Sequence, residues 1–409
     1  MPTRTDDRPR RAWQESASGP LLGGVFAIQL GVEAAAFIGL AGYAIYVLGV
    51  AAPLNTLIMG MFLCGQFLSV PIAGTLIDRW GPRRFMMAAL ILVAVICTSA
   101  LLIGARVALF LVFAFCFGLG ITLPQTGMNS FGPFVVKGTE ALQQVNAAIL
   151  FASFVAASLG PALGGALATY FGVPSVYVFC AAMAVVACVF WWFTIEKYQV
   201  EPEVHDSELH ELTHGLRLTL TDETLRFYVL AGSLVWFAIG SVMVLEGYYF
   251  EGVLKLPVAW LGWSAAASGV GTVLGSLLYA RLPKRLLNSQ SLLVTVIGIG
   301  LSLCLVYGTH SVVAMMIGSF LFGLPFGMAE PLLRTLTHSV SPLESVGRIQ
   351  AAARLFRIVF TIVPLLFAAW ISRLFGIQTV LVGSALVVVA ICLALFVEAR
   401  RIDRGVAVE

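Results

Sequence analysis

The apolar positions of this chain do not alternate with polar ones. They gather into long runs separated by short polar stretches. Twelve such runs stand out, at 22-48, 54-76, 85-104, 107-128, 145-168, 175-195, 227-250, 258-280, 287-308, 312-333, 348-371 and 378-397. At 1.5 Å per residue each can cross a hydrocarbon core about 30 Å thick as a helix. None shows the alternation over about ten residues of a transmembrane strand, and an open sheet edge in lipid would leave backbone groups unpaired. The pattern predicts an all-α integral membrane protein with twelve transmembrane helices.

The polar stretch at 196-226 separates six runs from six. It predicts a tail over 1-21, a six-helix domain over 22-195, a linker over 196-226, a second six-helix domain over 227-397 and a tail over 398-409. Within the linker, Leu209, Leu212 and Leu216 recur at helical spacing opposite Glu208, Glu211 and Arg217, as in a short amphipathic helix on a membrane surface. His210 and His214 are spaced for one helical face, but no third ligand accompanies them, so the linker is read as solvated and no metal site is expected. The two domains resemble each other. GTLIDRWGPRR at 74-84 aligns with GSLLYARLPKR at 275-285, TYFGVPSVYV at 169-178 with RLFGIQTVLV at 373-382, and Pro161 with Pro364. Two repeated six-helix units suggest a substrate path between them near the bilayer midplane.

Composition agrees: 59% of residues are hydrophobic and 11% charged, against roughly 25% charged in soluble proteins. The net charge of +3 says little, and nothing points to nucleic acid. The placement of Lys and Arg says more. With the N-terminus inside, Arg4, Arg8, Arg10, Arg11, Arg79, Arg83, Arg84, Lys137, Lys197, Arg217, Arg226, Arg281, Lys284, Arg285, Arg400, Arg401 and Arg404 fall in or beside internal segments. Arg334, Arg348, Arg354 and Arg357 flank or enter the internal ends of the tenth and eleventh runs, which leaves only Arg106, Lys255 and Arg373 outside and predicts both termini in the cytoplasm of an inner-membrane protein. The first twenty or so residues lack the apolar core and cleavage site of a signal peptide, so the first run is expected to be an uncleaved anchor. Cys64, Cys97, Cys116, Cys180, Cys188, Cys304 and Cys392 lie within runs and read as small buried hydrophobes.

Gly74, Leu76, Asp78, Arg79, Gly81, Arg83 and Arg84 form G-x-L-x-D-R-x-G-x-R-R at the internal end of the second run. The glycines suit close helix packing and a tight turn, Asp78 suits amides at a neighbouring helix N-terminus, and the arginines suit the cytoplasm. This stretch resembles the signature loop of the major facilitator superfamily. Gly160, Pro161, Gly164 and Gly165 in the fifth run are similar to the proline-glycine motif of its antiporter branches, with Ala156 where glycine usually leads. LQQVNAAILFASFVAASLGPALGG looks like the branch of macrolide and siderophore exporters. One departure is Ala114, where many proton-coupled exporters of the superfamily carry an arginine before the G-x-G at Gly118. The resemblance implies a proton relay organised differently from theirs.

No lysine follows a glycine, so no Walker A loop is present and an ion gradient is the expected energy source. About 150 mV supplies roughly 3.5 kcal/mol per charge, enough for one proton to sustain a few hundredfold accumulation. An ionisable group at a helix centre costs about 2.5–3.5 kcal/mol on insertion scales, so those inside the runs are candidates for function. Glu33 lies near the middle of the first run, with Gln29 and Phe37 on its face, and the resemblance places this face on the central cavity. Glu246 lies near the outer end of the seventh run beside Tyr248 and Tyr249, suited to binding or to interfacial anchoring. Gln125, Trp236 and Phe326 also suit the cavity. Toward the internal ends of the tenth and eleventh runs, Glu330 is expected to pair with Arg354 or Arg357 at an internal gate.

The sequence reading is a monomeric exporter of small amphipathic or hydrophobic compounds, working by alternating access and proton antiport in the lipid bilayer, without a cofactor. A proton-coupled uptake symporter is the second reading. A membrane-embedded enzyme or lipid scramblase is the third, but no nucleophile-base or metal constellation supports catalysis.

Overall fold

The computed structural model describes residues 18–135, 139–194, 208–341 and 346–406. Twelve helices are long and apolar enough to cross a membrane. They are α1 (Gly19–Val47), α2 (Ala52–Trp80), α3 (Pro82–Ser99), α4 (Val107–Ser130), α5 (Thr139–Phe171), α6 (Pro174–Phe193), α7 (Glu223–Tyr248), α8 (Ala259–Ala280), α9 (Ser289–Tyr307), α10 (Val312–Val340), α11 (Val346–Phe375) and α12 (Ile377–Ala394). No strand occurs among the described residues.

Several helices outrun the apolar runs that predicted them. α2, α5, α10 and α11 have 29, 33, 29 and 30 residues, or about 43–50 Å at the helical rise. The added turns, at the start of α5 and at the end of α2 and α10, carry polar residues that continue a helix beyond what hydropathy alone reports. The linker is also shorter than expected. Asp222 caps α7 by accepting from the Leu225 amide at 2.7 Å, so Glu223 and Arg226 belong to α7. A helix at Glu208–Thr221 occupies the rest of the described linker. Gly215 and Thr219, one turn apart, are buried, and the helix packs against α11 and α7, so it rests on protein and not only on a membrane surface. The side chains of His210 and His214 lie outside the described ones. The predicted C-terminal tail begins as a helix, Phe396–Val406. Its Ala399 and Ile402 are buried, and its Asp403 accepts from the amides of Ser289 and Gln290 at 2.8 and 3.3 Å, capping α9.

The two halves repeat one packing scheme. α1 meets α5 and α6, α2 meets α4, and α3 meets α6, and the same contacts recur as α7 with α11 and α12, α8 with α10, and α9 with α12. The turns α5–α6 and α11–α12 each pivot on a glycine of positive φ, Gly172 (80°) and Gly376 (84°). Between the halves, α5 crosses α8 with almost no side chain interposed. A Cβ on Gly165 would lie 3.0 Å from the Ala259 carbonyl, and one on Gly262 would lie 3.0 Å from the Gly165 Cα. Small residues are what permit such an approach in lipid, where packing replaces hydrophobic exclusion as the driving force.

Candidate functional site

The linker marks one end of the bundle, and the turns α1–α2 and α7–α8 mark the far end. Three hydrogen bonds join the halves at the far end among the described residues. The Tyr46 hydroxyl donates to the Leu256 carbonyl at 3.2 Å, Tyr248 to Val50 at 2.6 Å, and the Asn55 amide to Val244 at 3.1 Å. The Gly165–Gly262 crossing lies at the same end. At the linker end, polar contacts with described partners stay within one half: Arg83 donates to the Trp192 carbonyl, Arg357 pairs with Glu330, and Arg401 with Glu223. The halves are thus clasped at the far end.

Glu33 sits near the middle of α1. Its carboxylate accepts from the Gln29 side-chain amide at 2.7 Å, one turn earlier on the same face. Its Cβ lies against α5 at Gly160, where an added Cβ would come within 2.9 Å of it, and Gly164 meets Ala34 in the same way. Two glycines of the proline-glycine motif therefore seat α1 within the first half. Gly165 and the Pro161 carbonyl meet Gly262 in the second half. α5 is thus wedged between α1 and α8, and one motif serves both. No cation pairs with Glu33 among the described residues. Phe37 falls in a π turn, Ala35–Gly39, and is 38% exposed, whereas Gln29 is buried. The π turn was not legible in the sequence, and such turns mark functional positions in many helices.

In the second half, Trp236 on α7 meets Phe326 on α10, ring centroids 6.4 Å apart at 64°, and Phe322 stacks on Phe326 at 5.3 Å. All three are half-buried. Gln125 is half-buried on α4 and takes no part in the Gln29–Glu33 bond. Glu246 accepts from the Tyr307 hydroxyl at 3.0 Å near the far end, and Tyr307 packs edge-on to Tyr249.

Glu330 and Arg357 meet at 2.6 Å across α10 and α11, and Arg334 approaches Glu330 at 3.8 Å. Arg354 is exposed, so Arg357 is the one of the two expected arginines that pairs. With Glu330 44% and Arg357 20% exposed, the pair is half-open and not sealed in low dielectric as a fully buried pair would be. In the signature loop, Gly81 adopts φ 77°, ending α2 and starting α3 in one residue. Arg83 also lies 5.7 Å over the Trp192 ring, while Arg79 and Arg84 are exposed. Gly74, expected to sustain close packing, faces open space, and Ile72 and Trp80 on the same helix are exposed beside it. The side chain of Asp78 lies outside the described ones. No cluster of metal-ligating side chains occurs among the described residues.

Among solved structures, the chain is similar to the nucleoside transporter NupG, at 11% identity and TM-score 0.73, covering 92% of this chain and 99% of that one. It is also similar to a bacterial homologue of the iron transporter ferroportin in an inward-facing state, at 16% identity and TM-score 0.71, covering 92% and 98%. A third is a bacterial homologue of the human lysosomal transporter Spinster, inward-facing and unoccupied, at 14% identity and TM-score 0.70, covering 96% and 98%. At such identities the likeness is one of fold. No curated protein matches the sequence. The family model described as Major Facilitator Superfamily matches residues 21–357. With twelve membrane-crossing helices in a repeated arrangement and that match over most of its length, the chain belongs to the major facilitator superfamily and is a transporter of that fold.

Proposed function

We propose that this transporter exports small amphipathic or hydrophobic compounds, drug-like or siderophore-like, by alternating access, and that it takes up a proton for each molecule released. The observation that carries the reading is the Glu33 site. A carboxyl group with an amide neighbour and no described cation is a group that can bind and release a proton as its surroundings change. Its seat against Gly160 ties that proton to the position of α5, the helix that also touches the other half at Gly262. Movement of α5 on α8 therefore reaches the carboxyl through one rigid element.

In this reading the linker end is cytoplasmic, and the clasped far end holds the path open toward the cytoplasm. Cargo enters there, rests its apolar part on Trp236, Phe322 and Phe326, and displaces the proton from Glu33. Phe37 and Gln125 line the opposite wall, Gln29 holds the Glu33 carboxyl from a buried position, and Glu246 supports the far end of α7 through Tyr307. The Glu330–Arg357 pair and the loop of Asp78, Arg79, Arg83 and Arg84 shape the cytoplasmic gate, which closes when the far end opens. The unit is a monomer in the inner membrane.

A specific observation favours proton-coupled uptake as the second reading. Ala114 stands where many exporters of the superfamily carry an arginine, and similar structures include a nucleoside transporter and a peptide transporter. Purified protein in liposomes, given an imposed pH gradient and a panel of amphipathic compounds and metabolites, decides between the readings. Export predicts that compounds move against the direction of proton flow, and uptake predicts that they move with it. Flux of no compound, with or without a gradient, contradicts both.

A further inference from the structure

The ends of α1 and α7 are built alike in a way that the apolar pattern does not show. α1 finishes in a π turn at Tyr43–Val47, and α7 continues into one at Tyr249–Val253. After each turn the chain makes the same long-reach bond, Val50 amide to Ala44 carbonyl at 3.0 Å and Leu256 amide to Phe250 carbonyl at 2.8 Å. The first tyrosine of each turn ties down a loop of its own half. Tyr43 donates to the Gly104 carbonyl, and Tyr249 donates to the Thr309 carbonyl. Val50 and Leu256 are therefore equivalent positions in two copies of one motif.

Those two equivalent carbonyls are the acceptors of two of the three bonds that cross between the halves. Tyr46 of the first half donates to Leu256, and Tyr248 of the second half donates to Val50. Superposing the π turns sets Tyr248 level with Gly42, one helical turn before Tyr46 on the same face of the helix. Each half thus offers a tyrosine hydroxyl to the same carbonyl of the other. Asn55, fully buried on α2, adds a third bond, to Val244 on α7. Close packing surrounds these bonds: Ile45 fills the space at Gly247, and Val258 lies 3.2 Å from where a Cβ on Gly42 would sit.

We infer that Tyr46 and Tyr248 form a reciprocal latch that helps hold the far end shut, and that breaking both hydroxyl bonds raises the fraction of time this end is open. The latch rests on the alternating-access reading above, because a seal that never opens needs no latch. Its acceptors are backbone carbonyls, so each bond is lost as the halves part without leaving a charge behind, and each re-forms from either half. The tyrosine ring keeps its packing when only the hydroxyl is removed, so phenylalanine isolates the bond.

The test uses Val258→Cys as a reporter at the seal, in a Cys64→Ser background, with full-length protein in nanodiscs. The rate of reaction with a water-soluble maleimide then scales with the fraction of time the far end is open. At about 1 kcal/mol per hydrogen bond, Tyr46→Phe and Tyr248→Phe should each raise the rate about 5-fold, and the double variant about 25-fold. Tyr43→Phe and Tyr249→Phe, whose hydroxyls bond within one half, should leave it within twofold of the parent. A double variant within twofold of the parent, or own-half controls that match it, overturns the latch. Compound flux driven by a pH gradient, measured on the same preparation in liposomes, keeps the two claims apart. Unchanged labelling with intact flux overturns the latch alone, whereas absent flux in the parent protein overturns the transport reading beneath it.

Discussion

Glu33 and Glu330 are both carboxylates on membrane-crossing helices, yet they are housed in opposite ways. Glu33 lies mid-helix with an amide for company and a glycine against its Cβ. Glu330 lies toward the linker end, 44% exposed, with Arg357 at 2.6 Å and Arg334 within 3.8 Å. Arg357 gives the Glu330 carboxylate a charge-assisted partner on the next helix, so Glu330 suits a structural or gating role. A carboxyl with no cation beside it among the described residues depends on what enters its surroundings, which suits a group that exchanges a proton for cargo. The difference teaches that the presence of an acid in the membrane does not assign its role; the partner does.

The comparison breaks most sharply at Glu33 itself. Glu33→Gln keeps the size and the capacity to bond Gln29 but cannot titrate. Accumulation driven by a pH gradient in liposomes should fall at least about 100-fold, about 2.7 kcal/mol at 1.36 kcal/mol per decade. Exchange of labelled for unlabelled compound should survive. Gradient-driven accumulation at the parental level would remove Glu33 from the coupling step.

A second change moves the carboxyl without removing it. Gly160→Val would press on the Leu30 carbonyl and the Glu33 Cβ, at 2.8 and 2.9 Å from even an added Cβ. Overpacking of this kind costs about 1–3 kcal/mol, and flux should drop about 10-fold with proton coupling degraded alongside. A variant that transports at full rate would show that the seat on α5 is irrelevant.

Charge matching at the other site predicts a smaller and different effect. Because the Glu330–Arg357 pair is half-open, its coupling energy should be about 1 kcal/mol, nearer surface values than the 3–5 kcal/mol of a buried pair. A double-mutant cycle of Glu330→Gln and Arg357→Gln, read by thermal unfolding, should find that coupling and lose it in high salt. Additive losses would refute the pairing. The smallest effect belongs to the aromatic wall. Trp236→Leu should raise the concentration for half-maximal flux about 3- to 10-fold, as one aromatic contact of about 0.5–1.5 kcal/mol is lost. The dependence on pH should remain, and a loss of coupling there would blur the division between the two halves.

Much of this architecture was legible in the sequence because lipid imposes one rule, that a segment crossing it must be apolar for about 20 residues. Helix ends were less legible, since α2, α5, α10 and α11 continue past their apolar runs through polar residues that hydropathy does not report. The charged candidates stood out because any ionisable group in a lipid-facing run is an exception. Choosing between Arg354 and Arg357 required the rotation of α11, which no spacing supplies when both lie on one side of a helix. The bonds of Tyr46, Tyr248 and Asn55 across the halves were not legible for a related reason. The tyrosines' acceptors are backbone carbonyls that follow π turns, and neither the turns nor the apposition of two distant segments leaves a local trace in the sequence.

The most direct test of the central claim follows the proton. Purified protein in weakly buffered detergent solution, with a pH indicator dye, is mixed with a compound that the flux panel shows to be transported. The account predicts proton release on binding by the parent protein and none by Glu33→Gln, with Glu330→Gln still releasing protons like the parent. An undiminished proton signal from Glu33→Gln would contradict it.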